Sequence, residues 1–209
     1  MKNIVILGAG NTTDEIIPIL ESLSKNKDYK VKAIIDDDKK YFKKSYKGIP
    51  IHIGLENAKK FENCFFVFGI GSYRNKNNRK KILEKTSVDL EKFPNIIDPS
   101  VKIENNVTFG YGNIIYPYSI ICSGTKIKNF CVLTHLNILA HNVSINSFST
   151  LGSRTSVLNG ASNSSSSLTP YNIPLFPFLE IFHSIESSKL VYSLSVTRSC
   201  PNSSLLVNI

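Results

Sequence analysis

The stretch that decides the fold runs from Ile97 to Val157: IDPSVKIENNVTFGYGNIIYPYSIICSGTKIKNFCVLTHLNILAHNVSINSFSTLGSRTSV. Read in steps of six, it brings Ile97, Ile103, Phe109, Ile115, Ile121, Ile127, Leu133, Leu139, Ile145, Leu151 and Val157 into equivalence, and every one is large and apolar. Two residues before these, from the second onward, stand Val101, Val107, Asn113, Ser119, Thr125, Cys131, Asn137, Val143, Ser149 and Thr155, each small, β-branched or Asn. A helix repeats at 3.6 residues and a half-buried strand at 2; neither yields an unbroken run at six. The pattern is that of a hexapeptide β-helix, in which three short strands make one coil and eighteen residues return to the same face. Large residues then stack in ladders such as Ile97–Ile115–Leu133–Leu151, and the small residue fits the corner beside each. A single coil cannot bury its apolar edge, so stacked coils share one core and the ends need caps.

Upstream, residues 1–92 alternate short apolar runs with helix-like segments. Ile4–Leu7 reads as a buried strand ending in Gly8-Ala9-Gly10, and Ile16, Ile17, Ile19, Leu20 and Leu23 follow at near-helical spacing around Pro18. A strand from Val31 to Ile35 ends in Asp36-Asp37-Asp38, and another from Phe65 to Phe68 ends in Gly69-Ile70-Gly71, ahead of a polar helix holding Arg79, Ile82 and Leu83. Strands alternating with helices imply βαβ units on a parallel sheet. The expected division is therefore an α/β Rossmann-like domain (1–92), a β-helix (93–160) and an atypical tail (161–209). In the tail the rhythm fails, serines run from Ser164 to Ser167, and Pro170, Pro174 and Pro177 follow. Two readings of it stay open: a divergent, disordered extension, or the product of a shifted reading frame.

At 209 residues with 42% hydrophobic and 20% charged residues, the chain is long enough for one large core or two small ones, and too apolar for disorder. No stretch approaches the ~20 apolar residues of a membrane span, and Met1 leads almost directly into a strand, so a cytoplasmic protein with no membrane insertion is expected. Cys64, Cys122, Cys131 and Cys200 form no CxxC pair and no metal spacing, and read as small apolar residues. The net charge of +9 raises a nucleic-acid reading, focused on Lys39, Lys40, Lys43, Lys44 and Lys47 with Tyr41, Phe42 and Tyr46 among them. Arg is scarce, however, and a solvated face or an anionic small substrate accounts for the charge without nucleic acid.

A Gly-loop βαβ domain, a Gly69-Ile70-Gly71 strand end with Arg79 downstream, and hexapeptide coils carrying His141-Asn142 occur in that order. Over about residues 1–160 this resembles the hexapeptide-repeat sugar acyltransferases of the sialic acid O-acetyltransferase and nucleotide-amino-sugar N-acetyltransferase family. The resemblance implies a left-handed parallel β-helix, assembly as a homotrimer, and acetyl-CoA as co-substrate. It also implies a sugar or nucleotide-sugar substrate held by the first domain. By the same resemblance His141 is the general base that takes a proton from the acceptor amine or hydroxyl; the ordinary histidine pKa of ~6.5 suits that task. Asn142 occupies the place of the family's carboxylate. Asn159, with Gly160 after it, falls where the family has a Gly whose backbone N–H meets the thioester oxygen, which makes this pair the expected contact to acetyl-CoA. Later coils of the family are replaced here by the tail.

Each candidate also has a plainer reading. Gly8 and Gly10 either hold a phosphate at a helix start or only close a turn, since Asn11-Thr12-Thr13 supplies no third Gly. Asp36 and Asp37 either accept from a sugar hydroxyl or base edge or decorate a strand end. Gly69 and Gly71 either contact substrate or let backbones approach. No metal is expected, because a metal site needs about three convergent ligands, His135 lies a face away from His141, and His52 and His183 lie outside the repeat. Acetyl transfer to an amino sugar, nucleotide sugar or sialic acid is the leading function. A catalytically impaired sugar- or nucleotide-binding protein of the same descent is the alternative, favoured by Asn142 and the lost coils.

Overall fold

The computed structural model describes residues 2–24, 29–70, 78–159, 162–163, 181–186 and 189–194. Its contacts divide the chain into two compact units, Met1–Pro99 with Gly110–Ile114, and Ser100–Phe109 with Ile115–Ile209.

The first unit is an α/β domain. Strand β1 (Lys2–Leu7) leads to helix α1 (Asn11–Ser24), then to β2 (Tyr29–Asp36), β3 (Ser45–Tyr46), β4 (Ile49–Ile53), β5 (Phe65–Phe68) and α2 (Asn78–Thr86). The sheet order is β3-β4-β2-β1-β5, parallel except for the antiparallel edge pair β3/β4. β1 is central, so Ile4, Val5, Ile6 and Leu7 are each fully buried, which is why this run is apolar without alternation. Thr13, Ile16, Ile17, Ile19 and Leu20 form the buried face of α1. The helix continues through Pro18, which is exposed. The carbonyl left without a backbone partner there is that of Asp14, also exposed, so water can satisfy it. Phe93 closes the domain core, with ring centroids 5.9 Å from Phe66 and 5.4 Å from Phe68.

The hexapeptide reading holds throughout the repeat. Twelve two-residue strands begin at Ile96, Lys102, Thr108, Ile114, Ile120, Lys126, Val132, Ile138, Ser144, Thr150, Ser156 and Ser162, an unbroken interval of six. In the second unit, strands starting at Lys102, Ile120, Ile138 and Ser156 pair in parallel as one face, and those starting at Thr108, Lys126, Ser144 and Ser162 as another. A third face carries Ile115, Leu133 and Leu151. This is a parallel β-helix of the left-handed kind that hexapeptides wind. Ile115, Ile121, Ile127, Leu133, Leu139, Ile145, Leu151 and Val157 are all at most 2% exposed. The small partners are polar for a reason: Thr125 Oγ1 donates to the Ala140 carbonyl (3.0 Å), Ser149 Oγ to Asn146 (2.6 Å) and Thr155 Oγ1 to Gly152 (2.8 Å). They satisfy carbonyls buried at the corners.

The corners follow the same interval. Asn106, Gly112, Tyr118, Gly124, Phe130, Leu136, Asn142, Phe148 and Arg154 all have φ between 58° and 76°. Gly and Asn accept this left-handed conformation readily, whereas an aromatic or branched residue there is strained. In the tail, the backbone of 181–186 pairs in parallel with the strand starting at Ser156 and forms an antiparallel hairpin with 189–194.

Two outcomes follow for stability. Leu133→Ala, in the middle of a fully buried ladder, lowers stability by about 2–5 kcal/mol in denaturant titration. Arg154→Asn, at an exposed corner with φ 62°, raises it by about 1 kcal/mol.

Candidate functional site

In the first unit the predicted residues gather at the end of the sheet that β1, β2 and β5 share. Gly8 adopts φ 108°, its N–H donates to the Ile35 carbonyl (2.7 Å), and the Ala9 N–H donates to Asp36 Oδ2 (2.7 Å). Asp36 Oδ1 accepts from the Asp38 N–H (2.8 Å), so this carboxylate ties the Gly loop to the turn after β2. A Cβ at Gly8 would strike Ile70, and one at Gly69 would strike Thr13 Oγ1 and stand 2.6 Å from the Gly8 carbonyl oxygen. Gly8 and Gly69 are thus Gly because two strand ends meet. Gly10 differs, since among the described residues a Cβ there meets nothing within 4 Å at the start of α1.

Thr13 is a residue the motif reading passed over. It is 1% exposed, and its hydroxyl donates to the Gly8 carbonyl (2.8 Å) and reaches Gly69 O (3.5 Å), locking the two loops together. Asp37 has both oxygens engaged, Oδ1 by the Leu55 N–H (2.8 Å) and Oδ2 by Lys85 Nζ (2.6 Å). Burial raises its pKa, but the Lys85 and Leu55 hydrogen bonds and the Lys85 charge outweigh that and hold it below the usual carboxylate value. Arg79 is buried at 6% exposure. The lysine-rich run forms exposed structure in which Lys40, Lys43 and Lys47 lie over the rings of Tyr41, Phe42 and Tyr46 at 4.8, 5.5 and 5.5 Å. Gly71 lies outside the described residues.

In the second unit His141 stands at the corner after the strand Ile138–Leu139, its side chain about half exposed. Its backbone N–H donates to Asn159 Oδ1 (2.9 Å), so the side chain of Asn159 braces the residue that carries the imidazole. Nδ1 lies 3.4 Å from Ser123 Oγ and 4.0 Å from Glu104 Oε2, and Glu104 is held by the Ser123 N–H (3.0 Å). Asn142 has φ 59° and donates its N–H to the Ser123 carbonyl (3.1 Å); its carboxamide oxygen lies against Gly124 rather than on the imidazole. The carboxylate near the ring therefore comes from Glu104, two coils away in sequence. Cys122 joins the same group: its sulfur, a Glu104 oxygen and a His141 ring nitrogen all lie within 4.8 Å of one another. Burial and the Glu104 charge push the Cys122 thiol pKa up.

Glu104, Cys122 and Ser123 carry no local motif, yet the repeat length contains the signal: 104, 122 and 140 are eighteen apart, as are 123 and 141. His135 sits apart from this group, its ring 5.0 Å from that of Tyr116. Gly160 lies outside the described residues. No helix among the described residues is long and apolar enough to cross a membrane.

Two outcomes test the first unit. Gly69→Ala forces backbone apart and lowers the thermal midpoint by several degrees, whereas Gly10→Ala leaves it unchanged. Because the folded-state pKa of Asp37 is depressed, its contribution is present above the unfolded value of ~3.9 and is lost as pH falls through the folded value. The midpoint gap between the wild type and Asp37→Asn, about 2 °C at pH 6 for so exposed a pair, narrows in thermal scans as the pH is taken down below the unfolded value.

Comparison with known proteins bears on both units. The family model of the PglD N-terminal domain matches residues 3–86. Among solved structures, WeeI from Acinetobacter baumannii is similar with a TM-score of 0.60 at 15% identity, covering 91% of this chain and 100% of its own. The acetyltransferase domain of PglB from Neisseria gonorrhoeae, in complex with acetyl coenzyme A, has a TM-score of 0.47 at 15% identity, with 91% and 99% covered. A perosamine N-acetyltransferase variant from Caulobacter crescentus, in complex with CoA and GDP-perosamine, has a TM-score of 0.46 at 19% identity, with 91% and 97% covered. Comparison with curated proteins finds no match. Residues 3–86 thus match the PglD N-terminal domain model, and a β-helix of hexapeptide coils follows them in the chain.

Proposed function

We propose that the chain is an acetyl-CoA-dependent acyltransferase that acetylates a sugar, with residues 1–92 binding the sugar or its nucleotide and residues 93–160 carrying the transfer chemistry. The observation that carries this reading is the setting of His141. Its Nδ1 faces Ser123 and Glu104, and Nε2 has no partner among the described residues, on a half-exposed ring at a rigid corner. A base needs this arrangement: one nitrogen oriented by an acceptor, the other open to the substrate. The PglD N-terminal domain and the fold shared with WeeI support the same reading.

His141 Nε2 accepts the proton of the sugar amine or hydroxyl as its lone pair attacks the acetyl carbonyl carbon. Glu104 favours the tautomer with Nδ1–H and stabilises the imidazolium that forms, the task that Asn142 cannot perform. The backbone at Asn159–Gly160 donates to the oxyanion. As the carbon–sulfur bond breaks, the imidazolium returns its proton to the departing sulfur. Gly8, Gly10, Asp36, Asp37, Gly69 and Gly71 shape the sugar or nucleotide site, with Gly10 the point of ligand approach. Tyr118, Ile120, Leu136 and Ile138 form an exposed apolar stripe on the face that ends at His141, which supports burial against a second copy and a homotrimer.

Thiol release from acetyl-CoA, measured over amino sugars, nucleotide sugars and sialic acid, tests the proposal. His141→Ala lowers kcat roughly 10²–10⁴-fold. Glu104→Gln lowers it at least about tenfold with the KM for acetyl-CoA unchanged, since an orienting carboxylate acts on the base and not on the co-substrate. Absence of thiol release with every acceptor, or full activity in His141→Ala, refutes the mechanism. A thermal midpoint raised by a nucleotide sugar and indifferent to CoA would instead select the impaired binding protein, the reading that Asn142's position on Gly124 favours.

A further inference from the structure

We propose that Glu104, Cys122 and His141 form a binding site for a thiophilic divalent transition metal, zinc by its donor chemistry. One carboxylate oxygen, one sulfur and one imidazole nitrogen converge with all three donors within 4.8 Å of one another. Zinc holds oxygen and nitrogen at ~2.0–2.2 Å and sulfur at ~2.3 Å, so donors around one ion lie roughly 3.3–3.8 Å apart, and small side-chain rotations close the difference. Deprotonated, the set carries a charge of −2 against the +2 of the ion. A thiolate with an imidazole suits zinc and excludes magnesium and calcium, which take oxygen ligands.

The backbone behind each donor is already pinned by the coil ladder. The Glu104 N–H donates to the Ile121 carbonyl (2.9 Å), Cys122 to Leu139 (2.8 Å), and the His141 N–H to Asn159 Oδ1 (2.9 Å). Glu104 Oε2 is oriented by the Ser123 N–H (3.0 Å), an outer-shell support of the kind that metal sites use. With the His141 side chain 53% exposed, the site has an entry path and a fourth position for water. The expectation of no metal weighed histidines alone and cysteines by local spacing; residues eighteen or nineteen apart are neighbours on this fold. The site shares His141 and Glu104 with the proposed acid–base pair, so metal occupancy and the Glu104 orientation of His141 exclude one another.

The test is a zinc titration of the reduced, metal-stripped full chain against a metallochromic indicator, with cobalt(II) as a spectroscopic probe. One zinc per chain is expected, together with a thiolate-to-cobalt charge-transfer band. Cys122→Ser abolishes the band and weakens zinc binding by a factor of ten or more, Glu104→Gln weakens it similarly, and Cys200→Ser changes neither. No stoichiometric zinc binding, no cobalt band in the wild type, or a band that survives Cys122→Ser overturns the proposal. These readouts do not depend on turnover, so they decide the metal site whether or not acetyl transfer is found.

Discussion

The second unit depends on one constraint: each corner of the coil must turn within about two residues, with φ near 60°, and must do so every six residues. That conformation costs little for Gly and Asn and of order 1–2 kcal/mol for other residues. Here Tyr118, Phe130, Leu136, Phe148 and Arg154 all adopt it. The strain is sustained because every coil places a large aliphatic on the one beneath it, and from Ile115 to Val157 these are almost wholly buried. Stacking is cooperative along the prism axis, so local strain is held by neighbours on both sides.

The same geometry builds the candidate site. Parallel coils place residues eighteen apart side by side, so a corner collects chemistry from several coils without any loop of its own. His141 receives its backbone brace from Asn159, and its ring faces Ser123 and Glu104. Asn142, next to the imidazole in sequence, is turned by its positive φ onto Gly124. Adjacency in sequence and adjacency in space part at this corner: the carboxylate near the ring comes from position 104 and not from a sequence neighbour.

The α/β domain works by a different principle. Its strands are apolar runs that need no alternation, and the end of the sheet that carries the Gly loops is made by backbone proximity. Gly8 and Gly69 are small because their strand ends touch, and Thr13 ties them with its hydroxyl. Asp36 and Asp37 first serve this scaffold: one accepts from the Gly loop, the other from Leu55 and Lys85. Of the Gly-loop residues, Gly10 alone combines a helix start with room for a Cβ among the described residues.

Much was legible in the amino-acid sequence. The interval of six between Ile97 and Val157 is a one-dimensional signal of a one-dimensional fold, and the βαβ order follows from apolar runs ending in Gly. His141 and Asn159 stood out as site candidates through the resemblance to the sugar acyltransferases, whose His and Gly positions fall on them. The tertiary structure decided what the side chains do. Whether Gly8 serves a phosphate or a neighbouring strand depends on how closely that strand passes, and whether Asp37 is open depends on where Lys85 falls. Glu104, Cys122 and Ser123 carry no local motif, and only the eighteen-residue period aligns them with the His141 corner. They become neighbours of His141 only when the coil closes at eighteen residues and their side-chain rotamers settle toward its ring.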